Sequence, residues 1–407
     1  MVITGIGGLS PLGHDWPTIE VRLRSRRNAV VRMGEWDEYD GLNARIGAPA
    51  APFELPEHYT RKATRSMGRV ARMATYATER ALADAGLLGD PIVKSGRLGI
   101  AYGTSSGTPS ALAEFGRMLN IKKTEGLTAT TYLRMMSHTA AVNISVFFGI
   151  TGRCIPTSSA CTSGSQGIGY AYETVRAGLQ TVMVAGGAEE LDPTQAAVFD
   201  TLLATSTRND APSLTPRPFD ADRDGLVLGE GAGTFILEDL DHALARGARI
   251  RAEVVGYGTN CDGKHVTFPQ QETMQAAMQL ALADAGVPAD AIGYVNAHGT
   301  ATEQGDIAEA EATAAVYGTR TPVSSLKSYM GHTLGACGAL EAWMSIEMML
   351  AGWFAPTINL ERPDPRCGDL DHVTGDGRQV ACDHVASNNF AFGGVNTSLI
   401  FKRYGDR

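Results

Sequence analysis

The sequence predicts an α/β protein made of two similar halves, and an internal repeat carries that prediction. Ala81-Leu82-Ala83-Asp84-Ala85-Gly86 returns as Ala281-Leu282-Ala283-Asp284-Ala285-Gly286, each copy closing a helix. Each is soon followed by a strand ending in Gly-Thr, Gly103-Thr104 in one half and Gly299-Thr300 in the other. Each half then sets a Ser-Ser pair at a strand end: Ser158-Ser159 ahead of Cys161, and Ser324-Ser325 ahead of Lys327. One match between alanine-rich helices carries little weight. Three in the same order divide the chain near Gly247, into residues 1–246 and 247–407. The alternation of strand and helix patterns favours sheets with helices on their faces.

Composition agrees with such a fold. The 407 residues are 43% hydrophobic and 19% charged, with 47 glycines, which suits a large core and many tight turns. Net charge is −9 and no long basic run occurs, so no nucleic-acid partner is expected. Six cysteines without CxxC spacing argue against a zinc site or a disulfide scaffold. No apolar run is read as approaching the ~20 residues of a membrane span. The first residues, Met1-Val2-Ile3-Thr4-Gly5, lack the charged and apolar regions of a signal peptide. A cytoplasmic location with no membrane span is the expectation.

In chain order, Val2 to Gly8 reads as a strand running into a glycine turn. Ser10 and Pro11 spoil a dinucleotide fingerprint there. Asp15-Trp16-Pro17 opens a helix, with proline near its first position. Residues 66–85 read as a second helix and 98–102 as a strand. Residues 140–149 are apolar on nearly all sides and are expected to be buried, against another subunit. Residues 152–156 read as a short extended segment, and 165–177 as a helix stopped by Gly178. A strand follows over 182–185. Asp220, Asp222, Asp224 and Gly225 fall at EF-hand offsets. The twelfth position is Gly231, however, and Leu226-Val227-Leu228 is strand-like, so calcium is rejected.

The chemistry-bearing residues fall at strand ends, where open α/β folds gather ligands. Cys161 sits on a tight turn between strand and helix. The positive end of the helix dipole there is expected to favour thiolate and to present backbone N–H groups to an anion. The bland alternative is a small buried thiol. The second half adds His298 after strand 294–297, Lys327 after 323–325, and His332 just beyond. Either histidine alone reads as a core or capping residue. At corresponding places in repeat-related elements, the pair points to a site.

These stretches together resemble a β-ketoacyl-[acyl-carrier-protein] synthase of the elongating type II class, in the thiolase superfamily. The resemblance rests on Ser159-Ala160-Cys161-Thr162-Ser163-Gly164, Arg217-Pro218-Phe219-Asp220 with Arg223-Asp224-Gly225, and Gly229-Glu230-Gly231-Ala232-Gly233. It continues through Asn296-Ala297-His298-Gly299-Thr300-Ala301-Thr302, Gly305-Asp306, Lys327, Gly331-His332 and Ser387-Asn388-Asn389-Phe390-Ala391-Phe392-Gly393-Gly394. It covers essentially the whole chain. It implies a thiolase-like fold with a layered α-β-α-β-α core, and an acyltransferase with a Cys-His-His site.

The resemblance implies that Cys161 accepts an acyl chain from a carrier protein. Backbone N–H groups at Cys161 and near Phe392 would hold the oxyanion. His298 and His332 would polarise the malonyl thioester as carbon dioxide leaves. Lys327 is expected to pair with Glu341, with Asp306 in support. Thr300 and Thr302 match pantetheine-contacting threonines, Phe392 a gating phenylalanine, and Phe199 a wall of the acyl pocket. No resident cofactor or metal is implied, since phosphopantetheine arrives on the acyl carrier protein. A homodimer is implied, and Arg61, Lys62, Arg65 and Arg69 form a basic cluster for an acidic carrier. Ala391, Tyr329-Met330 and Cys337 depart from the commonest form. Residues 36–67 resemble synthases encoded with aryl-polyene pigment pathways. Two other readings are a non-catalytic chain-length-factor subunit and a thiolase. The first would lack the nucleophile, and the second would place a cysteine where Phe392-Gly393-Gly394 stands.

Overall fold

The computed structural model describes residues 1–405. Ten strands build its main sheet system. The first half supplies β1 (Val2–Leu9), β2 (Leu98–Gly103), β3 (Cys154–Thr157), β4 (Val182–Glu189) and β5 (Gly231–Glu238). The second supplies β6 (Ala252–Cys261), β7 (Ile292–Asn296), β8 (Val323–Ser324), β9 (His384–Phe390) and β10 (Val395–Arg403). The strands lie in the order β3-β2-β4-β5-β1 and then β6-β10-β9-β7-β8. Counted within its own half, each set reads 3-2-4-5-1 from its outer edge. In both halves the 3-2 and 2-4 pairs are parallel and the 4-5 and 5-1 pairs antiparallel. The halves meet where β1 pairs with β6, Val2 opposite Glu253 and Ile3 opposite Ala252.

The repeated alanine motif has a steric cause. Helix α1 (Arg69–Asp84) lies on β1, and helix α4 (Gln271–Ala285) on β6. A Cβ on Gly5 would strike the Ala81 carbonyl, and one on Gly256 the Ala281 carbonyl. Glycine facing alanine is what lets helix and strand backbones approach. The motif's aspartate then caps the contact. Asp84 Oδ2 accepts from Ile6 N at 2.9 Å and Asp284 Oδ2 from Tyr257 N at 3.1 Å.

Strand alternation sorts the core into layers. Val182 and Val184 pack outward with α1 and with α2 (Thr139–Phe148). Met183 and Ala185 pack inward, with α3 (Ser163–Arg176) and α6 (Cys337–Ala351). On the far side, Ile292 and Val295 face α4 and α5 (Glu303–Tyr317), while Tyr294 faces the central helices. The result is a five-layer α-β-α-β-α stack with α3 and α6 in the middle.

The structure corrects one expectation and adds detail to others. The helix expected over residues 66–85 is α1 and starts three residues later, at Arg69; a separate short turn of helix, Arg61–Thr64, precedes it. Residues 334–351 are long and apolar enough to cross a membrane, with a mean hydropathy of 1.2, but 89% of that window is buried as the central helix. Helix α2 is not buried all round. Ala140, Ala141 and Ile144 are fully enclosed, yet Val146 is 74% exposed. The acidic residues at EF-hand offsets are held apart by separate partners. Asp220 accepts from Glu361 N and Arg362 N, Asp222 pairs with Arg362, and Asp224 with Arg208.

Candidate active site

Cys161 lies in a 3₁₀ turn (Ala160–Thr162) between β3 and α3, at the floor of a cavity of about 500 Å³. Ser163 Oγ receives the Ser159 N–H at 3.0 Å and donates to Ala160 O at 2.7 Å, tying the turn to the helix start. Cys161 Sγ is 2.9 Å from His332 Nε2. The backbone N–H groups of Phe392 and of Cys161 itself also favour negative charge on the sulfur.

The expected thiolate does not form at rest. Burial pushes the thiol up to about 11, against the help of those N–H groups and of Lys327. Desolvation outweighs the helix terminus because Cys161 is only 4% exposed.

The two histidines are matched in their hydrogen bonding. His298 Nδ1 receives Lys327 Nζ at 3.1 Å, and His332 Nδ1 receives Leu334 N–H at 3.3 Å. With Nδ1 an acceptor, each neutral ring must carry its proton on Nε2. Burial and the nearby Lys327 ammonium lower both pKa values well below the ordinary histidine range. Both are therefore neutral Nε2–H donors. The rings stand nearly perpendicular, 5.0 Å between centroids. One nitrogen of each and Cys161 Sγ fall within 4.8 Å of one another.

Lys327 pairs with Glu341, and Glu341 also accepts from Asn389 Nδ2 at 2.7 Å. Burial opposes the ammonium, but Glu341, Cys337 and Glu309 together outweigh it and the Lys327 pKa rises. The Cys161, His298 and His332 trio, and His298 with Cys337 and Glu341, have the spacing of metal ligands. A cation on the first would have to displace Nε2 protons, and one on the second the Lys327 ammonium that Glu341 already binds. The donor chemistry fits a nucleophile and hydrogen-bond donors better than a metal.

Asp306 supports the site from α5. It accepts from Phe219 N at 2.7 Å, Thr300 N at 3.0 Å and Ala301 N at 3.1 Å. Burial raises its pKa to about 6. Thr300 and Thr302 line the cavity and hydrogen-bond to each other at 2.9 Å. Phe199 and Phe392 line it too, as an edge-on pair 6.0 Å apart. Ala391 follows at the same wall. The basic cluster lies elsewhere, since none of Arg61, Lys62, Arg65 or Arg69 lines the cavity. Arg69 differs from its neighbours in that its guanidinium, 43% exposed, is bound by buried Glu230.

Two supports escape the sequence reading. Glu309 accepts from His298 N and Gly299 N, both at 2.6 Å, and burial raises its pKa to about 8. Glu189 accepts from Ser105 N and Gly335 N, both at 2.9 Å, joining loops of the two halves. Nothing in an acid-rich helix or at a strand end marks these carboxylates as inward-facing.

Residues 1–243 match the family described as "Beta-ketoacyl synthase, N-terminal domain" and residues 251–361 its C-terminal domain. The chain is 37% identical over 412 residues to the 3-oxoacyl-[acyl-carrier-protein] synthase 2 of Vibrio cholerae, with 99% of each covered. Among solved structures it is similar to a β-ketoacyl synthase from Burkholderia phymatum, with 58% identity, a TM-score of 0.98 and 99% of both chains covered. It is also similar to the ishigamide ketosynthase/chain length factor, with 31% identity, a TM-score of 0.90 and 99% of both chains covered.

Proposed function

The chain belongs to the β-ketoacyl synthase family, and we propose that Cys161 carries the growing acyl chain while His298 and His332 act on the malonyl unit. The enzyme is a 3-oxoacyl-[acyl-carrier-protein] synthase that condenses acyl units in fatty-acid elongation. The observation that carries the division of roles is the pair of fixed Nε2–H donors beside one thiol.

In the first half-reaction, Cys161 sulfur attacks the carrier thioester. The oxyanion rests on the N–H groups of Cys161 and Phe392. The departing pantetheine thiol gains the proton that Cys161 loses, so no base is consumed. In the second, the malonyl thioester carbonyl accepts from both Nε2–H groups. The C–C bond to the carboxylate breaks, carbon dioxide leaves, and the electron pair forms an enolate held by those donors. The enolate carbon attacks the acyl-cysteine, the C–S bond breaks, and solvent returns one proton to sulfur. Lys327 and Glu341 fix the His298 tautomer. Asp306 holds the loop of Thr300 and Thr302 where the pantetheine arm passes, and Phe199 and Phe392 wall the acyl entrance. Arg61, Lys62 and Arg65 steer an acidic carrier protein from a distance.

We read residues 1–246 and 247–407 as the two halves and the location as cytoplasmic. No cofactor beyond the carrier's own arm is required by these steps. The likeness of residues 36–67 to aryl-polyene synthases makes a polyene chain the specialised form of the same substrate. Intact-mass measurement after incubation with acyl-carrier protein tests the reading. One acyl adduct, lost in Cys161→Ala, is expected; an unmodified parent protein would favour the non-catalytic partner role.

A homodimer is part of this reading. Strand β3 ends its sheet with Cys154 and Pro156 exposed, and Val146, on the helix α2 packed beside it, is 74% exposed. Such an open edge beside apolar surface calls for a cover. Sedimentation should give twice the 43.1 kDa chain mass, and a monomer that stayed fully active would sink the idea.

A further inference from the structure

The catalytic cavity opens between segments that expose large apolar side chains, set among exposed His265, Thr267, Glu303 and Gln304. Leu202 and Leu203 line one side, 46% and 87% exposed. Val266 and Phe268 line the other, 64% and 56% exposed, with Phe392 between them at 40%. These are five large apolar side chains around one opening.

Leu203 is the anomaly among them. Its φ is +54°, in the left-handed region that glycine or asparagine normally occupies. The turn is built to hold it there. Leu203 N donates to Asp200 O at 2.9 Å, and Ala204 N to Phe199 O at 3.0 Å. Asp200 is itself held by Asn43 N and Thr205 Oγ1, each at 2.8 Å. A leucine here bears backbone strain and gains no burial from its own fold. The opposite side is also organised: His265 Nδ1 receives Thr267 N and Phe268 N, each at 3.2 Å, and Val266 O receives Gly393 N at 2.8 Å.

We infer that this rim is a docking surface for the carrier protein, with Leu203 as its apolar anchor. The inference rests on the functional reading above. An arm that delivers its thioester to Cys161 must enter by this mouth, so the protein bearing it is seated on the rim. The basic cluster at 61–65 lies off the mouth and supplies charge. Leu203 supplies contact area at the point of entry. A single well-packed apolar anchor at the centre of an interface commonly dominates its affinity.

The test uses the full chain, one acyl group presented on the carrier protein or on N-acetylcysteamine, and a salt series. Leu203→Gly suits the backbone and removes the anchor. It should raise the carrier KM about 10-fold, leave kcat and turnover of the small thioester unchanged, and leave Tm unchanged or higher. Its salt dependence should match the parent's. Charge reversal at Lys62 and Arg65 should instead raise the carrier KM and flatten its salt dependence. Leu203→Met should stay near the parent. A parental carrier KM in Leu203→Gly would overturn the inference, as would equal loss on both thioesters. If the parent protein loads acyl groups from neither source, the functional reading itself has failed; if it loads them from the carrier and Leu203→Gly is silent, only the anchor has.

Discussion

Cys161→Ala is expected to abolish acyl loading and condensation while malonyl-carrier decarboxylation persists. That is the largest effect expected of any single substitution here. The acyl bond is proposed to form on the Cys161 sulfur, and alanine offers no substitute. Decarboxylation needs no bond to sulfur. It needs donors at the malonyl carbonyl, and those are held by Lys327 and by the Leu334 N–H, neither of which depends on Cys161. Removing the sulfur also frees the His332 Nε2–H that it engages at 2.9 Å. Decarboxylation in the variant should therefore equal or exceed the parent rate. Radiolabelled acyl trapping and carbon dioxide release, run side by side, read both half-reactions. Normal acyl labelling in Cys161→Ala would place the nucleophile elsewhere.

His298→Ala and His332→Ala should each lose decarboxylation by about 10²–10³-fold, the usual cost of one oxyanion donor. They differ in acyl loading. His332 touches the sulfur and His298 does not, so His332→Ala should load more slowly while His298→Ala loads at a rate near the parent's. His298→Ala also strands the Lys327 ammonium beside an empty space, although Glu341 still neutralises it. The fold should survive, as near-parental acyl loading would show. Should both variants release carbon dioxide at the parent rate, the role given to the Nε2–H donors would be wrong, whatever the fold.

Much of this architecture was legible because its causes are local. The Ala-Leu-Ala-Asp-Ala-Gly repeat requires a glycine strand opposite it, and such a strand lies there in both halves. Cys161, His298 and Lys327 could be found because they follow strand ends, and His332 because it comes one short helical turn beyond Lys327. Other features depend on what surrounds a residue after folding. A helix N-terminus beside Cys161 suggested a thiolate, but the protein packed over it raises the pKa instead. Arg69 looked like its basic neighbours until Glu230, 161 positions away, claimed it. Residues 334–351 read from composition alone cannot be told from a membrane segment, because a helix between two sheets also has apolar surroundings on every side. Glu309 and Glu189 face inward only because backbone N–H groups from distant loops need acceptors.

The matched strand order has a consequence for how the site came to be asymmetric. Two residues after the Ser-Ser pair stands Cys161 in one half and Lys327 in the other. Like folds thus place unlike chemistry at one address. In a symmetric pair of separate subunits, every change of side chain would appear twice, and a lysine could replace the thiol only by erasing it. Joining the halves in one chain removes that constraint. One copy keeps the bond-forming atom, while its twin is free to become the group that sets a neighbour's proton.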